Sequence, residues 1–165
     1  MTKRELLNAI KTELLATVWT GGSNKVWGTG SVTISKAPEL KSFLSYSRSP
    51  FAVIVPNDFK ADPQHGEDPN LIVGNVIVRI GTVTPGDTLG ENPLMGANRP
   101  DSTKSEGAGL YQIEQELFNA IGKMNTQDSI VIQYRSMGDS GAVLSDTNSY
   151  IAYEDHVFEA VCTVV

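Results

Sequence analysis

NLIVGNVIVRIGTVT, residues 70–84, and LYQIEQELFNAIGKM, residues 110–124, set one long strand-like run against one amphipathic helix, with a Gly/Pro-rich loop between them. At about 3.3 Å per residue the first run would reach roughly 50 Å, against a usual strand of about five or six residues. Alternation puts Ile72, Val76, Val78 and Ile80 on one face. Leu71, Val73, Asn75, Ile77, Arg79 and Val83 fall on the other, so both faces are partly apolar. Gly74 and Gly81 read as bulges or bends. In the second run Leu110, Ile113, Leu117, Ile121 and Met124 recur at helical spacing, with Phe118 beside them. The pattern is too short for a coiled-coil seam and reads as a core-facing stripe. The loop 85–105, PGDTLGENPLMGANRPDSTKS, exceeds the roughly 12–15 residues beyond which structureless loops become uncommon. A function, mobility or both is expected of it.

Working outward, Thr2 and Glu5 have capping-box spacing and start a helix whose Leu6, Leu7, Ile10, Leu14 and Val18 share one face until Thr20-Gly21-Gly22-Ser23 stops it. KVWGTGSVTIS, 25–35, is β-rich but broken by Gly28 and Gly30, which predicts a short or bulged strand with Trp27 against the sheet. Pro38 and Glu39 suit the first turn of a short helix carrying Leu40, Phe43 and Leu44 inward. FAVIV, 51–55, closed by Pro56, predicts a strand buried on both faces. The polar stretch 57–69 is the expected tip of a long hairpin to the strand at 70–84. Alternation returns at 129–135 and 150–165, which predicts an antiparallel pair joined by a connection over 138–149.

Composition bounds the functional classes. One domain spanning 1–165 is expected, since a chain of this length can bury a substantial core. A net charge of −6, with no basic run, argues against general electrostatic capture of nucleic acid. The single cysteine, Cys162, excludes an intrachain disulfide and, flanked by Val161 and Thr163, reads as a small buried side chain. The N-terminus is an amphipathic helix without a continuous apolar block, so a soluble chain with no export signal is expected.

Three constellations invite chemistry. Gly138-Asp139-Ser140-Gly141 resembles the nucleophile loop of chymotrypsin-like serine peptidases, whose backbone forms an oxyanion hole beside the serine. That family also needs an upstream histidine and aspartate, and His65, in DPQHGEDP, lacks the family's setting. A Gly/Asp/Ser turn between two strands accounts for the same residues. Asp62, His65, Glu67 and Asp68 cluster within one loop as conceivable metal ligands, but a solvated acidic loop is the better reading, and no metal is expected. Gly86, Gly90 and Gly96 form no phosphate-binding fingerprint, because Pro85 and Pro93 interrupt them and the helix starts far downstream. No cofactor is expected.

The fold expected is α+β: an antiparallel-rich mixed β-sheet with two main amphipathic helices packed on it and long extended hairpins and loops. By element order the chain resembles the tail terminator or tail completion proteins of long-tailed bacteriophages, and with them the related head-tail neck proteins. The resemblance runs through the helix at 2–19, the buried strand at 51–55, the hairpin continuing through 71–84, the helix at 110–124 and the closing strands at 130–135 and 150–164. It departs in the length of the 85–105 loop and in the insertion at 62–69.

The resemblance implies a non-enzymatic virion protein, assembled in the host cytoplasm. It implies a homo-oligomeric ring, commonly a hexamer, at the head-proximal end of the tail. That ring halts tail tube polymerisation, contacts the tail tube protein and the neck or head completion proteins, and passes DNA through its lumen without reading sequence. Arg79, Asp87, Leu89, Glu91, Leu94, Met95 and Arg99 are the residues expected to make intersubunit or partner contacts. Two alternatives stand beside it: a small serine hydrolase using Ser140, and a binding module that uses the 85–105 loop without forming a ring.

Overall fold

In the computed structural model, residues 1–36, 49–61, 70–97, 105–127, 130–144 and 147–164 are described. They form an α+β fold around a five-stranded mixed sheet: α1 (Lys3–Ala16), β1 (Val32–Ile34), β2 (Phe51–Ala61), β3 (Leu71–Pro85), a single-turn α2 (Asn92–Met95), α3 (Leu110–Gln127), β4 (Ile132–Leu144) and β5 (Ser149–Thr163). Strand order is β1-β2-β3-β5-β4. Only β1 and β2 pair in parallel; β2 with β3, β3 with β5 and β4 with β5 are antiparallel. No helix among the described residues is long and apolar enough to cross a membrane.

The period-two pattern of β3 sorts its side chains as alternation requires. Val76, Val78 and Ile80 join Ala52 and Ile54 of β2, Phe158, Ala160 and Cys162 of β5, and the apolar stripes of α1 and α3 in one main core. Burying each large aliphatic side chain contributes about 1.5–3 kcal/mol, so α3, with Leu110, Ile113, Leu117, Ile121 and Met124 all inward, is firmly held. On the opposite face Phe51, Val53 and Ile151 make a smaller cluster with Val55 and Val83.

Local chemistry fixes the element ends. The Thr2 hydroxyl accepts from the Glu5 amide at 3.3 Å while Thr2 N–H donates to Glu5 Oε2 at 2.7 Å, so α1 begins with a complete capping box. At the far end of α3, the Asn125 side chain mimics a strand. Its amide donates to the Ile132 carbonyl at 2.6 Å and its oxygen accepts from Ile132 N–H at 2.9 Å, which sets the start of β4.

Two expectations are corrected. The strand at 51–55 does not stop at Pro56: β2 runs to Ala61, with a register shift between Asn57 and Lys60. Pro56 lies beyond the stretch that β1 covers, where a strand has an open edge and tolerates a residue without an N–H. Gly138-Asp139-Ser140-Gly141 is not a turn. It lies inside β4, which continues to Leu144, because the chain absorbs Gly138 and Asp139 as a bulge between the pairs Met137–His156 and Ser140–Glu154. Within the loop 85–105, the first half carries α2. The helix expected at 38–44 and most of the hairpin tip, 62–69, lie outside the described residues.

Candidate functional site

Asp87, Leu89, Glu91, Leu94 and Met95 come together on one folded segment. Asp87 accepts from the amides of Glu91 and Asn92 at 2.9 and 3.4 Å, closing the turn that opens α2, with Pro93 in the first turn of the helix. The segment is pinned at both ends: Gly86 N–H donates to the Asn148 carbonyl at 2.7 Å and Ala97 N–H to Gly107 at 2.7 Å. Gly109 lets α2 approach α3, since a Cβ there would lie 2.2 Å from the Gly96 nitrogen. Beyond the segment, Ser105 accepts from Trp19 Nε1 at 2.9 Å and reaches the Lys25 and Val26 carbonyls at 2.8 and 2.9 Å. The described parts of the 85–105 loop are thus docked on the core. Leu89, 79% exposed, points away from it, and Leu94 and Met95 are also exposed. Arg99 lies outside the described residues.

Arg79 stands apart from this group, on β3. Its guanidinium makes two bonds to Asp155, at 2.7 and 2.9 Å, and lies 4.3 Å from the centre of the Tyr153 ring. Tyr153 in turn donates to Asp139 at 2.8 Å, and this bond, followed by burial, pushes its phenol above the ordinary value. Asp139, Tyr153, Arg79 and Asp155 therefore tie β4, β5 and β3 together, and the Arg79 head group is engaged within the chain.

The edge strand β4 adds a feature that sequence reading missed. Tyr134, Met137, Val143 and Leu144 are exposed large apolar side chains on it, and Val131 just before it is 62% exposed. After the bulge, Ser140 to Leu144 pair regularly with β5. A cleft of about 250 Å³ joins this tract to α2: Gly90, Pro93 and Leu94 line it together with Ser140, Gly141 and Ala142 of β4 and Tyr150 and Glu154 of β5. Two glycines and an aspartate in four residues are turn chemistry, and the paired register of β5 overrides it.

Ser140 itself sits opposite Glu154, whereas His156 is paired with Met137. Nucleophilic catalysis requires the base within hydrogen-bonding reach of the hydroxyl, and among the described residues no hydrogen bond joins Ser140 to His156.

A second cluster lies on the helix-covered side, where α3 crosses β5. Glu114 Oε1 is 4.0 Å and Glu154 Oε2 is 3.4 Å from His156 Nε2. The His156 ring is fully buried, with Phe118 edge-on to it at 5.5 Å and Tyr134 at 6.1 Å. Burial, then the charges of Glu114 and Glu154, raise the Tyr134 phenol above its ordinary value. Nothing in the spacing of Glu114 and His156 could have signalled this meeting, which depends on how α3 crosses the sheet. The acidic loop bearing Asp62, His65, Glu67 and Asp68 lies outside the described residues. No protein-family model matches the chain, and no curated protein aligns with it significantly.

Proposed function

We propose that the chain is a structural subunit that closes into a ring through its sheet edge and the α2 segment, in the manner of a phage tail terminator. Such a ring, hexameric in the simplest case, would cap the head-proximal end of a tail tube, stop its growth and join it to the neck, with DNA passing through the lumen. The observation that carries the reading is the continuity between the edge strand and the loop. The tract 140–142 of β4 shares a cleft with Leu94, and Val143, Leu144, Leu89 and Met95 are exposed on the same strand end and loop.

An edge strand offers unpaired N–H and C=O groups to a neighbouring chain, and monomers guard such edges with lysine, proline or short length. β4 has 13 residues. Its sequence, IQYRSMGDSGAVL, contains neither lysine nor proline. Two register shifts, between Tyr134 and Ser136 and between Met137 and Ser140, blunt its first part and leave the 140–144 end regular. A contact of one patch with a different patch on the next copy generates a closed ring when the rotation permits. The two amphipathic helices hold the sheet, in which β3 pairs with β5 along its whole length. An acidic protein, at net −6, would let DNA pass without gripping it.

Light scattering with electron microscopy, alone and with tail tube protein, tests the proposal. Rings of uniform subunit number on tube ends are expected. A particle that stays monomeric at high concentration and leaves tube length unchanged would overturn it. Hydrolysis at Ser140 makes the contrary prediction that a fluorophosphonate probe labels the protein and that Ser140→Ala abolishes labelling.

A further inference from the structure

We propose that Glu114, Glu154 and His156 form a binding site for a divalent transition-metal cation of the Zn²⁺ class. One imidazole nitrogen and two carboxylate oxygens make a mixed donor set suited to Zn²⁺ or Mn²⁺, whereas Mg²⁺ and Ca²⁺ prefer all-oxygen shells. The three donor atoms lie within 4.8 Å of one another. Two ligands bound at about 2.0–2.1 Å in tetrahedral geometry are about 3.4 Å apart. Glu154 and His156 already stand at that separation, 3.4 Å, and Glu114 at 4.0 Å needs only a small side-chain adjustment. Its side chain is partly exposed at the α3 surface and can make it.

The independent observation is an unmet demand inside the protein. His156 is 0% exposed and neither of its ring nitrogens has a hydrogen-bond partner; the buried Glu154 Oε2 facing it has none either. Buried polar atoms are almost always satisfied, so unpartnered donors gathered at one point call for an unseen partner. A cation fills that role for Nε2 and Oε2 together and draws Glu114 in. It leaves Nδ1 to carry the ring proton, with the ring held by Phe118 and Tyr134 instead of the orienting hydrogen bond that most metal-bound histidines make. Loss of such a bond typically weakens metal binding by about 10–100-fold, so weaker binding than at a site with that bond is expected. Access runs from the Glu114 side, and Glu154 also borders the cleft beside Ser140. The cation would clip α3 to β5, beside the edge strand, a role independent of whether the chain forms a ring.

The test uses the full chain freed of metal with a chelator and titrated with Zn²⁺, Mn²⁺ and Mg²⁺ by calorimetry, with thermal unfolding in parallel. One equivalent of Zn²⁺ should bind and raise Tm, with Mg²⁺ without effect. Glu114→Gln, a partly exposed position that keeps the fold, should weaken Zn²⁺ binding about tenfold or more, as should Glu154→Gln, while His65→Ala should leave it unchanged. An anomalous-scattering peak between the three side chains would locate the ion. Absence of Zn²⁺ binding at millimolar concentration, unaltered binding in both Glu variants, or loss of binding only in His65→Ala would each overturn the proposal.

Discussion

Arg79 and Asp155 face each other at directly paired positions of β3 and β5 and are joined by two hydrogen bonds of 2.7 and 2.9 Å, with the Tyr153 ring laid over the guanidinium. Both side chains are largely buried, so cutting one leaves the other charge poorly solvated. Hydrogen bonds to charged groups contribute about 1.5–3 kcal/mol, and Arg79→Ala or Asp155→Ala should each destabilise the fold by about that much. Urea unfolding of both single variants and the double variant checks it. A double variant no worse than either single one is expected, because the two residues act as a unit. Strictly additive losses would show that they do not.

Phe51 and Gly81 are paired across β2 and β3, and the Phe51 ring occupies the space that a side chain at 81 would take. A Cβ built at 81 would lie 2.0 Å from the ring. The glycine is required here for a close approach, not for a special backbone angle. Gly81→Ala should therefore destabilise by about 1–3 kcal/mol through overpacking, and Phe51→Ala by about 3–5 kcal/mol through the cavity. If space is the cause, combining them should recover part of the Gly81→Ala loss, and chemical denaturation of the pair would reveal it.

Glu5 supplies the pH dependence. The Thr2 backbone N–H, and then the Thr2 hydroxyl, hold its carboxyl below the ordinary value of 4.5. A carboxyl lowered by folding adds stability that is present above its unfolded pKa and lost as pH falls through the folded one. The start of α1 should thus loosen only below about pH 4.5. A carbon-detected NMR titration should put the Glu5 midpoint below 4.5, and Thr2→Ala, which removes the hydroxyl, should move it back up. A Glu5 midpoint at the ordinary value would contradict the capping box.

What the sequence discloses follows the range of the interaction. The capping box at Thr2 and Glu5, the inward stripe from Leu110 to Met124 and the alternating faces of 71–80 are local patterns, and the structure contains each of them. Failure came where a distant partner decides. Gly138 and Asp139 carry turn residues, but pairing with β5 holds them in a strand, and β2 passes through Pro56 because β3 continues beside it. The loop after Pro85 conceals a helical turn because Asp87 caps it through its side chain, a signal masked by the surrounding Gly and Pro. The Glu114–Glu154–His156 cluster joins residues about 40 positions apart in sequence, and no periodicity reports how α3 crosses the sheet.

Assembly should be sensitive to charge at one end of β4. Val143 and Leu144 are exposed, so replacing them with lysine removes no core packing and should change unfolding stability by no more than about 0.5 kcal/mol. Lysine is nonetheless a residue with which natural sheets block edge pairing. The double variant Val143→Lys/Leu144→Lys is therefore expected to abolish ring formation in light scattering while circular dichroism stays unchanged. Leu89→Lys, on the docked loop, separates the two surfaces. If rings survive the strand variant but vanish with Leu89→Lys, the subunits meet through the α2 segment and not through the edge of β4. If both variants form rings normally, neither surface is the interface and the proposed mode of assembly fails.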